Sequence, residues 1–365
     1  MGSVNAYETS SGRRYRVRYR LPDHSQTDKR GFKTKREAEL FLAAVEIAKS
    51  RGEFVSAAQS RIPFGDWAEL WIVNQVQLKP STRRGCAGIL RAAILPKWGS
   101  TPLAGITHAG LQNWLSATSA TAAPSTTRSY HRVMSMILKY AVRDGRLSRN
   151  VADGVKLPRI VQRKHGYLSH AQVHHLASLC GTDGDMILFL AYTGLRWGEM
   201  AALRVMDLNI PKHRVSVDQA VTEVGRELVY GTPKNHSRRS VPFPSFLDYL
   251  LEARSAGKKS TDFVFTAPAG GALRNHNWRR RRFEPAMTEF LEVYPDAVRL
   301  TPHDLRHTAA SLAISAGANV KAVQKMLGHA SAAMTLDVYA DLFDDDLDAV
   351  GDALSAAGDP ELLLD

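Results

Sequence analysis

The chain has little to spend on cross-links, membranes or nucleotide-driven work. Its 365 residues include two cysteines, Cys86 and Cys180, too few for a disulfide framework and suited to a reducing cytosol as small buried apolar residues. No apolar run approaches the roughly 20 residues of a membrane span, and the first residues lack the apolar stretch of a secretory signal. A soluble protein of the cytoplasm is expected. There is no G-x-x-x-x-G-K-[ST] phosphate loop and no carboxylate cluster spaced for two metals. Basic residues also run out, since no Lys or Arg follows Lys325, while Asp341 to Asp365 holds nine carboxylates.

Positive charge is abundant elsewhere. The formal net charge is +12 and the isoelectric point near 9.7, an excess whose commonest cause in such a protein is a polyanionic partner. Between Ser11 and Arg36 lie ten Lys/Arg against Asp23 and Asp28, a balance of +8. Within it "RRYRVRYR" reads as a strand, with Tyr15, Val17, Tyr19 and Leu21 on one face and Arg14, Arg16, Arg18 and Arg20 on the other. Arginines left side by side repel one another and gain by meeting phosphates.

At this length two or three domains are expected. The first segment reads as a small α+β unit over 1–55. A second strand surrounds Arg30 to Lys33, and "TKREAELFLAAVEIAKS" starts a helix with Thr34 and Glu37 as a capping box and Phe41, Leu42, Val45 and Ala48 as its apolar stripe. "SAAQS" reads as a linker. Residues 61–158 read as all-helical, with helices over 64–76, 82–94, 107–115 and 126–144, and with Pro80, Pro96, Pro102 and Pro124 outside them. "PSTRRG" and "PSTTRSYHR" put Arg83, Arg84 and Arg128 beside hydroxyls near helix starts, which suits a phosphate grip or ordinary capping. A basic connector carries Lys156, Arg159, Arg163 and Lys164. From about 165 to 350 a helix capped by Ser169, an apolar helix ending at Gly194, strands over 215–218 and 228–230, and further helices make a mixed, mainly α segment. An acidic tail occupies 351–365.

Four places in that segment carry chemistry. Arg196 in "AYTGLRWGEM" sits at a helix break. Lys234 follows Pro233 in a turn between strands, where a lysine can reach a ligand. In "RLTPHDLRHTAASLAISAG", Thr301 as cap and Pro302 at the first position put His303 and Arg306 in the first turn, where the helix dipole favours an anion. His303 and His307 also have a zinc-peptidase spacing, but Asp304 replaces the usual glutamate and no third ligand is evident. "LGHAS" ends a helix at Gly328 and exposes His329 in the turn. Tyr339 follows on the next helix, where core packing competes with any chemical role.

The order and spacing of "TGLRWGE", "TPKNHSRRSVPFP", "HDLRHT", "LGHAS" and Tyr339 closely resemble the tyrosine recombinase family of phage integrases. Specific motifs carry the resemblance over residues 167 to 350, and helical layout alone over 61 to 160. It implies an active site of Arg196, Lys234, His303, Arg306, His329 and the nucleophile Tyr339, supported by Glu199. It also implies a helical, SAM-like core-binding domain and a catalytic domain with a small antiparallel sheet, clamped on opposite sides of double-stranded DNA. Four protomers would exchange strands on two core-type sites, with each C-terminus packing on a neighbour. Arg14, Arg16, Arg18 and Arg20 resemble the DNA-facing part of an extra N-terminal domain that holds arm-type sites. A host DNA-bending protein and an excision factor are the implied helpers, in the bacterial nucleoid.

Those residue types suit phosphodiester exchange. Charge accumulating on the non-bridging oxygens is met by bidentate arginines. A tyrosine hydroxyl, with an ordinary pKa of about 10, needs a base or a strongly positive site to attack. The departing 5′ oxygen needs an acid, a role given to Lys234 by position and resemblance. A 3′-phosphotyrosine conserves bond energy, so neither ATP nor a metal or other cofactor is expected. A type IB topoisomerase, a non-catalytic DNA-binding regulator and a zinc hydrolase are the alternatives.

Overall fold

A computed structural model of the chain describes residues 2–21, 24–50, 54–55, 59–161, 166–233, 238–268 and 270–329, with Ser331, Ala333, Leu336 and Ser355. Arg163, Lys164, Lys234 and Tyr339 lie outside the described residues, as does the acidic tail apart from Ser355. The chain divides into two compact units, 1–162 and 163–365.

The first unit opens with three antiparallel strands, β1 (Ser3–Thr9), β2 (Gly12–Arg20) and β3 (Gln26–Phe32), in that spatial order, followed by α1 (Lys35–Ser50). β1 is the strand that sequence reading missed. Its register sets Ser3, Asn5 and Tyr7 beside Arg18, Arg16 and Arg14, and β3 sets Asp28 and Arg30 beside Arg18 and Arg16. The outer face is therefore mixed rather than purely arginine, and Asp28 ion-pairs Arg30 within it at 2.8 Å. On the inner face Val17 is fully buried, and Phe41 of α1 packs on Tyr19 and Phe32 at ring separations of 5.9 and 5.3 Å. The expected capping box forms, with the Glu37 backbone N–H donating to Thr34 Oγ1 at 3.2 Å and Thr34 N–H to Glu37 Oε2 at 3.3 Å.

The helices of this unit are α2 (Phe64–Val73), α3 (Pro80–Ile89), α4 (Leu95–Trp98), α5 (His108–Ser119) and α6 (Pro124–Arg143). They enclose Phe64, Trp67, Trp71, Leu111, Leu115, Met134, Ile137 and Leu138. Trp67 donates its indole N–H to the Ile137 carbonyl at 3.3 Å and stacks on Tyr140 at 5.0 Å. Pro96 does not stop the third helix as expected. Residues Leu90–Ile94 form a π-helical stretch joining α3 to α4, and the wider turn relieves the clash and missing hydrogen bond that proline imposes four residues back. Pro80 and Pro124 likewise sit inside their helices, at the first turn.

The second unit runs through α7 (His170–Leu179), α8 (Gly184–Thr193), α9 (Trp197–Met200), β4 (Leu208–Asn209), β5 (Arg214–Val217), β6 (Ala220–Val224), β7 (Glu227–Gly231), β8 (Arg239–Pro242), α10 (Asp248–Ser255), α11 (Asn275–Trp278), α12 (Glu284–Val293), α13 (Asp304–Ser315) and α14 (Val320–Leu327). The strands make two small antiparallel sheets, β4-β5-β8 and β6-β7. The strands that flank Lys234, β7 and β8, belong to different sheets, and the turn expected at Lys234 lies outside the described residues. Phe189, Leu190, Phe265, Phe283 and Phe290 are among the buried core residues. Ser169 caps α7 through a capping box with Gln172. The architecture is thus helix-rich with small antiparallel sheets. No helix among the described residues is long and apolar enough to cross a membrane.

Candidate active site

Two helix ends frame the site. The apolar helix α8 stops at Gly194, which takes the left-handed conformation at φ 63°, and α14 stops at Gly328, with φ 66°. Left-handed glycine ends a helix without a Cβ penalty. A Cβ at Gly194 would also lie 2.7 Å from Leu327 Cδ2, so this turn packs directly on the end of α14.

Arg306 ties the two ends together. It lies on the buried side of α13, 3% exposed, and donates Nη1 to the Gly194 carbonyl at 2.6 Å and Nη2 to the Leu327 carbonyl. The helix itself begins later than expected. Asp304 is its first residue and His303 the N-cap, because the Asp304 carboxylate reaches back to accept from Thr301 N–H at 2.6 Å and Thr301 Oγ1 at 2.7 Å. Thr301 therefore holds the entry turn instead of capping. His303 stays exposed, its ring 5.7 Å from that of His307. No group of three or more His, Cys, Asp or Glu among the described residues could hold a metal ion.

Arg196 directly precedes α9, and its backbone N–H donates to Glu199 Oε2 at 2.9 Å while Nη1 donates to Oε1 at 2.9 Å. The same carboxylate accepts Nη1 and Nη2 of Arg239 at 3.1 and 2.6 Å. Glu199 is 2% exposed. Burial pushes its carboxyl up, but the hydrogen bond and charge of Arg239, with the backbone N–H and charge of Arg196, outweigh that and hold it below the usual carboxylate range.

His329, expected to be exposed, is half-buried. Burial first, then the charges of Arg306, Arg196 and Arg239, push its imidazolium down to about 4. Arg306 and Arg239 reach the Leu327 and Met326 carbonyls just before the Gly328 turn to His329, and Arg196 shares the Glu199 carboxylate with Arg239. Three guanidiniums thus lie with the Glu199 carboxylate in a partly desolvated place. Such a site favours an anion and strengthens hydrogen bonds to it.

Residues 167–345 match the phage integrase family and residues 64–157 match the phage integrase central domain. The chain belongs to the phage integrase family. It is a tyrosine-type site-specific recombinase. Its relatives include the prophage phiRv2 integrase of Mycobacterium tuberculosis, 27% identical over 325 residues and matched across 84% of this chain and 82% of that protein. The tyrosine recombinase XerC of Mycobacterium bovis is 29% identical over 277 residues, 70% of this chain and 86% of its own. Among solved structures, a Tn1549 transposon integrase in complex with transposon right end DNA has a TM-score of 0.67 at 21% identity, covering 80% of this chain and 100% of that one. A lambda integrase tetramer bound to a Holliday junction has a TM-score of 0.59 at 14% identity, covering 90% and 96%.

In this integrase the structure gathers Arg196, Glu199, Arg306 and His329, and places His303 at the N-cap of the helix that carries Arg306. Arg239 is the member that sequence reading passed over. A signal for it existed, since β8 alternates and Arg239 shares its face with Val241, which is fully buried. The residues read as DNA-facing are spread wider. Arg83, Arg84, Lys156 and Arg159 are exposed. Arg128 is exposed too, with Nη1 donating to the Pro158 carbonyl at 3.0 Å. The hydroxyls near Arg83 and Arg128 do not cap their helices. Arg14 and Arg16 are partly buried and Arg18 and Arg20 exposed.

Proposed function

We propose that this recombinase cuts and rejoins double-stranded DNA at a core-type site through a 3′-phosphotyrosine on Tyr339, for integration and for excision. The observation that carries the reading is the set of hydrogen bonds that ties Arg196 and Arg239 to the Glu199 carboxylate and Arg239 and Arg306 to the end of α14 just before His329. A phosphodiester set there meets preorganised positive charge as its non-bridging oxygens gain charge in the transition state. Arg196 and Arg306 bind those oxygens, and Glu199 holds Arg196 in place. His329, neutral at physiological pH, donates or accepts a hydrogen bond without adding a charge. His303 supplies a second imidazole. Lys234 protonates the departing 5′ oxygen, and rejoining runs the same steps in reverse.

The domain reading is that residues 61–158 and the catalytic segment at 165–350 each contact the core site, and that 1–55 hold arm-type sites with the outer face of the sheet. Four protomers act in the synaptic complex, with a host DNA-bending protein and an excision factor setting direction in the bacterial cytoplasm. The lambda integrase tetramer on a Holliday junction, similar in fold, supports the four-protomer part of that reading. The decisive experiment incubates the chain with nicked duplex DNA carrying a core site. Wild type should form a covalent 3′-linked adduct and Tyr339→Phe none; absence of the wild-type adduct, or an adduct with the variant, would refute the mechanism.

A further inference from the structure

Arg239 has no role in the reading above beyond its charge, yet its side chain is 8% exposed and, among the described residues, its hydrogen bonds go to groups that carry a proposed phosphate-binding residue. Two Nη atoms grip both oxygens of Glu199 at 3.1 and 2.6 Å. Its Nε donates to the Met326 carbonyl at 3.1 Å, one residue before the Leu327 carbonyl that accepts from Arg306. Its stem also lies along the turn to His329, because a Cβ built on Gly328 would stand 3.0 Å from Arg239 Cδ. Arg239 is anchored in turn by β8, paired with Val217 of β5.

We propose that Arg239 is a positioning residue for strand cleavage: its guanidinium fixes Glu199 with one edge and the end of α14 with the other, holding Arg196, Arg306 and His329 in one geometry. The inference rests on the assignment of those three residues to the scissile phosphate. Guanidinium geometry is essential to it. Five donors in a rigid plane satisfy a carboxylate and a carbonyl together, whereas an ammonium offers a single point of charge. Without Arg239 the Glu199 carboxylate is answered by Arg196 alone. That pairing draws Arg196, whose side chain is 25% exposed, away from a phosphate and cancels more of its charge. The turn before His329 loses its Nε tether as well. A displacement of about 1 Å in such a group costs on the order of 100-fold in rate.

The test is single-turnover formation of the covalent adduct by the full chain, on a nicked core-site duplex that wild type cleaves, with either an ordinary scissile phosphate or a methylphosphonate. A methylphosphonate is uncharged, so it places far less demand on Arg196. Arg239→Met should slow cleavage of the phosphate about 100-fold while DNA affinity changes by less than about threefold, and its defect on the methylphosphonate should shrink to less than about threefold. Arg239→Lys should lose about tenfold on the phosphate, and carries the same substrate comparison if Arg239→Met does not fold. Wild-type rates on both substrates would overturn the proposal, as would equal losses on both, which mark a merely structural residue. Arg196→Ala and Arg306→Ala serve as controls. If those two cleave the phosphate at wild-type rate, the site assignment itself fails; if they are defective and the Arg239 variants are not, only the positioning role fails.

Discussion

Glu199→Gln removes one negative charge from a place where two arginines depend on it, and its cost can be worked from the contacts. The carboxylate accepts four hydrogen bonds, from the Arg196 backbone N–H, Arg196 Nη1 and both Nη atoms of Arg239. Breaking a buried ion pair by removing one partner costs about 3–5 kcal/mol. The amide keeps one acceptor oxygen and Arg196 can recruit some water, so the lower end applies, about 3 kcal/mol. For a unit of roughly 200 residues each kcal/mol lowers the melting temperature by about 2–4 °C, giving a fall of about 6–12 °C. Calorimetry of the full chain at pH 7 measures it. The pH dependence has a definite sign. The folded carboxyl sits below its ordinary 4.5, so its contribution is complete above that value and is lost as pH falls through the lower folded one. The gap between wild type and variant should therefore narrow in acid. A shift under about 2 °C at pH 7, or a gap unchanged in acid, would refute the reasoning, since even 1 kcal/mol predicts more.

Four further outcomes follow. A Cβ on Gly198 would lie 2.3 Å from the Val221 carbonyl, so Gly198→Ala should push β6 off α9 and cost about 1–3 kcal/mol in urea unfolding; an unchanged midpoint would remove that contact from the account. His329 is pushed down to about 4, so a histidine-selective NMR titration of the DNA-free chain should find it neutral at pH 5.5. Its folded value is depressed, so its contribution to stability is complete above the ordinary 6.5 and is lost as pH falls toward 4. Deleting residues 1–55 should abolish arm-site binding and spare covalent cleavage at the core. Replacing Arg14, Arg16, Arg18 and Arg20 together should flatten the salt dependence of arm binding by about 3 to 4 in log–log slope, at 0.9 per phosphate contact, and an unchanged slope would mean that this face does not meet the backbone.

Local chemistry explains what was legible. Thr34 with Glu37, and Ser169 on its own, announced two helix starts because capping is decided within four residues. The arginine and tyrosine alternation of β2 announced a strand, but β1 went unseen because "SVNAYET" offers a weak alternation whose pairing depends on a distant partner. Pro96 misled for a related reason: a proline read alone forbids a helix, while a π-turn supplied by the packed bundle absorbs it. The site divides the same way. Arg196, His303, Arg306 and His329 each sit at a helix end or turn that motif order marks. Arg239 is one of two adjacent arginines on a short strand, and what distinguishes it from Arg238 is a carboxylate 40 residues earlier. The connection around Lys234 is another non-local fact, since β7 and β8 find partners other than each other.

The double tether of Arg306 to the Gly194 and Leu327 carbonyls has a consequence for the order in which the fold is completed. Those acceptors are more than 130 residues apart in the chain, yet one guanidinium needs both at once. A partly folded chain in which the end of α14 has not docked lacks one of the two acceptors that seat Arg306. Seating of Arg306 therefore waits until the end of α14 has docked against the turn at Gly194.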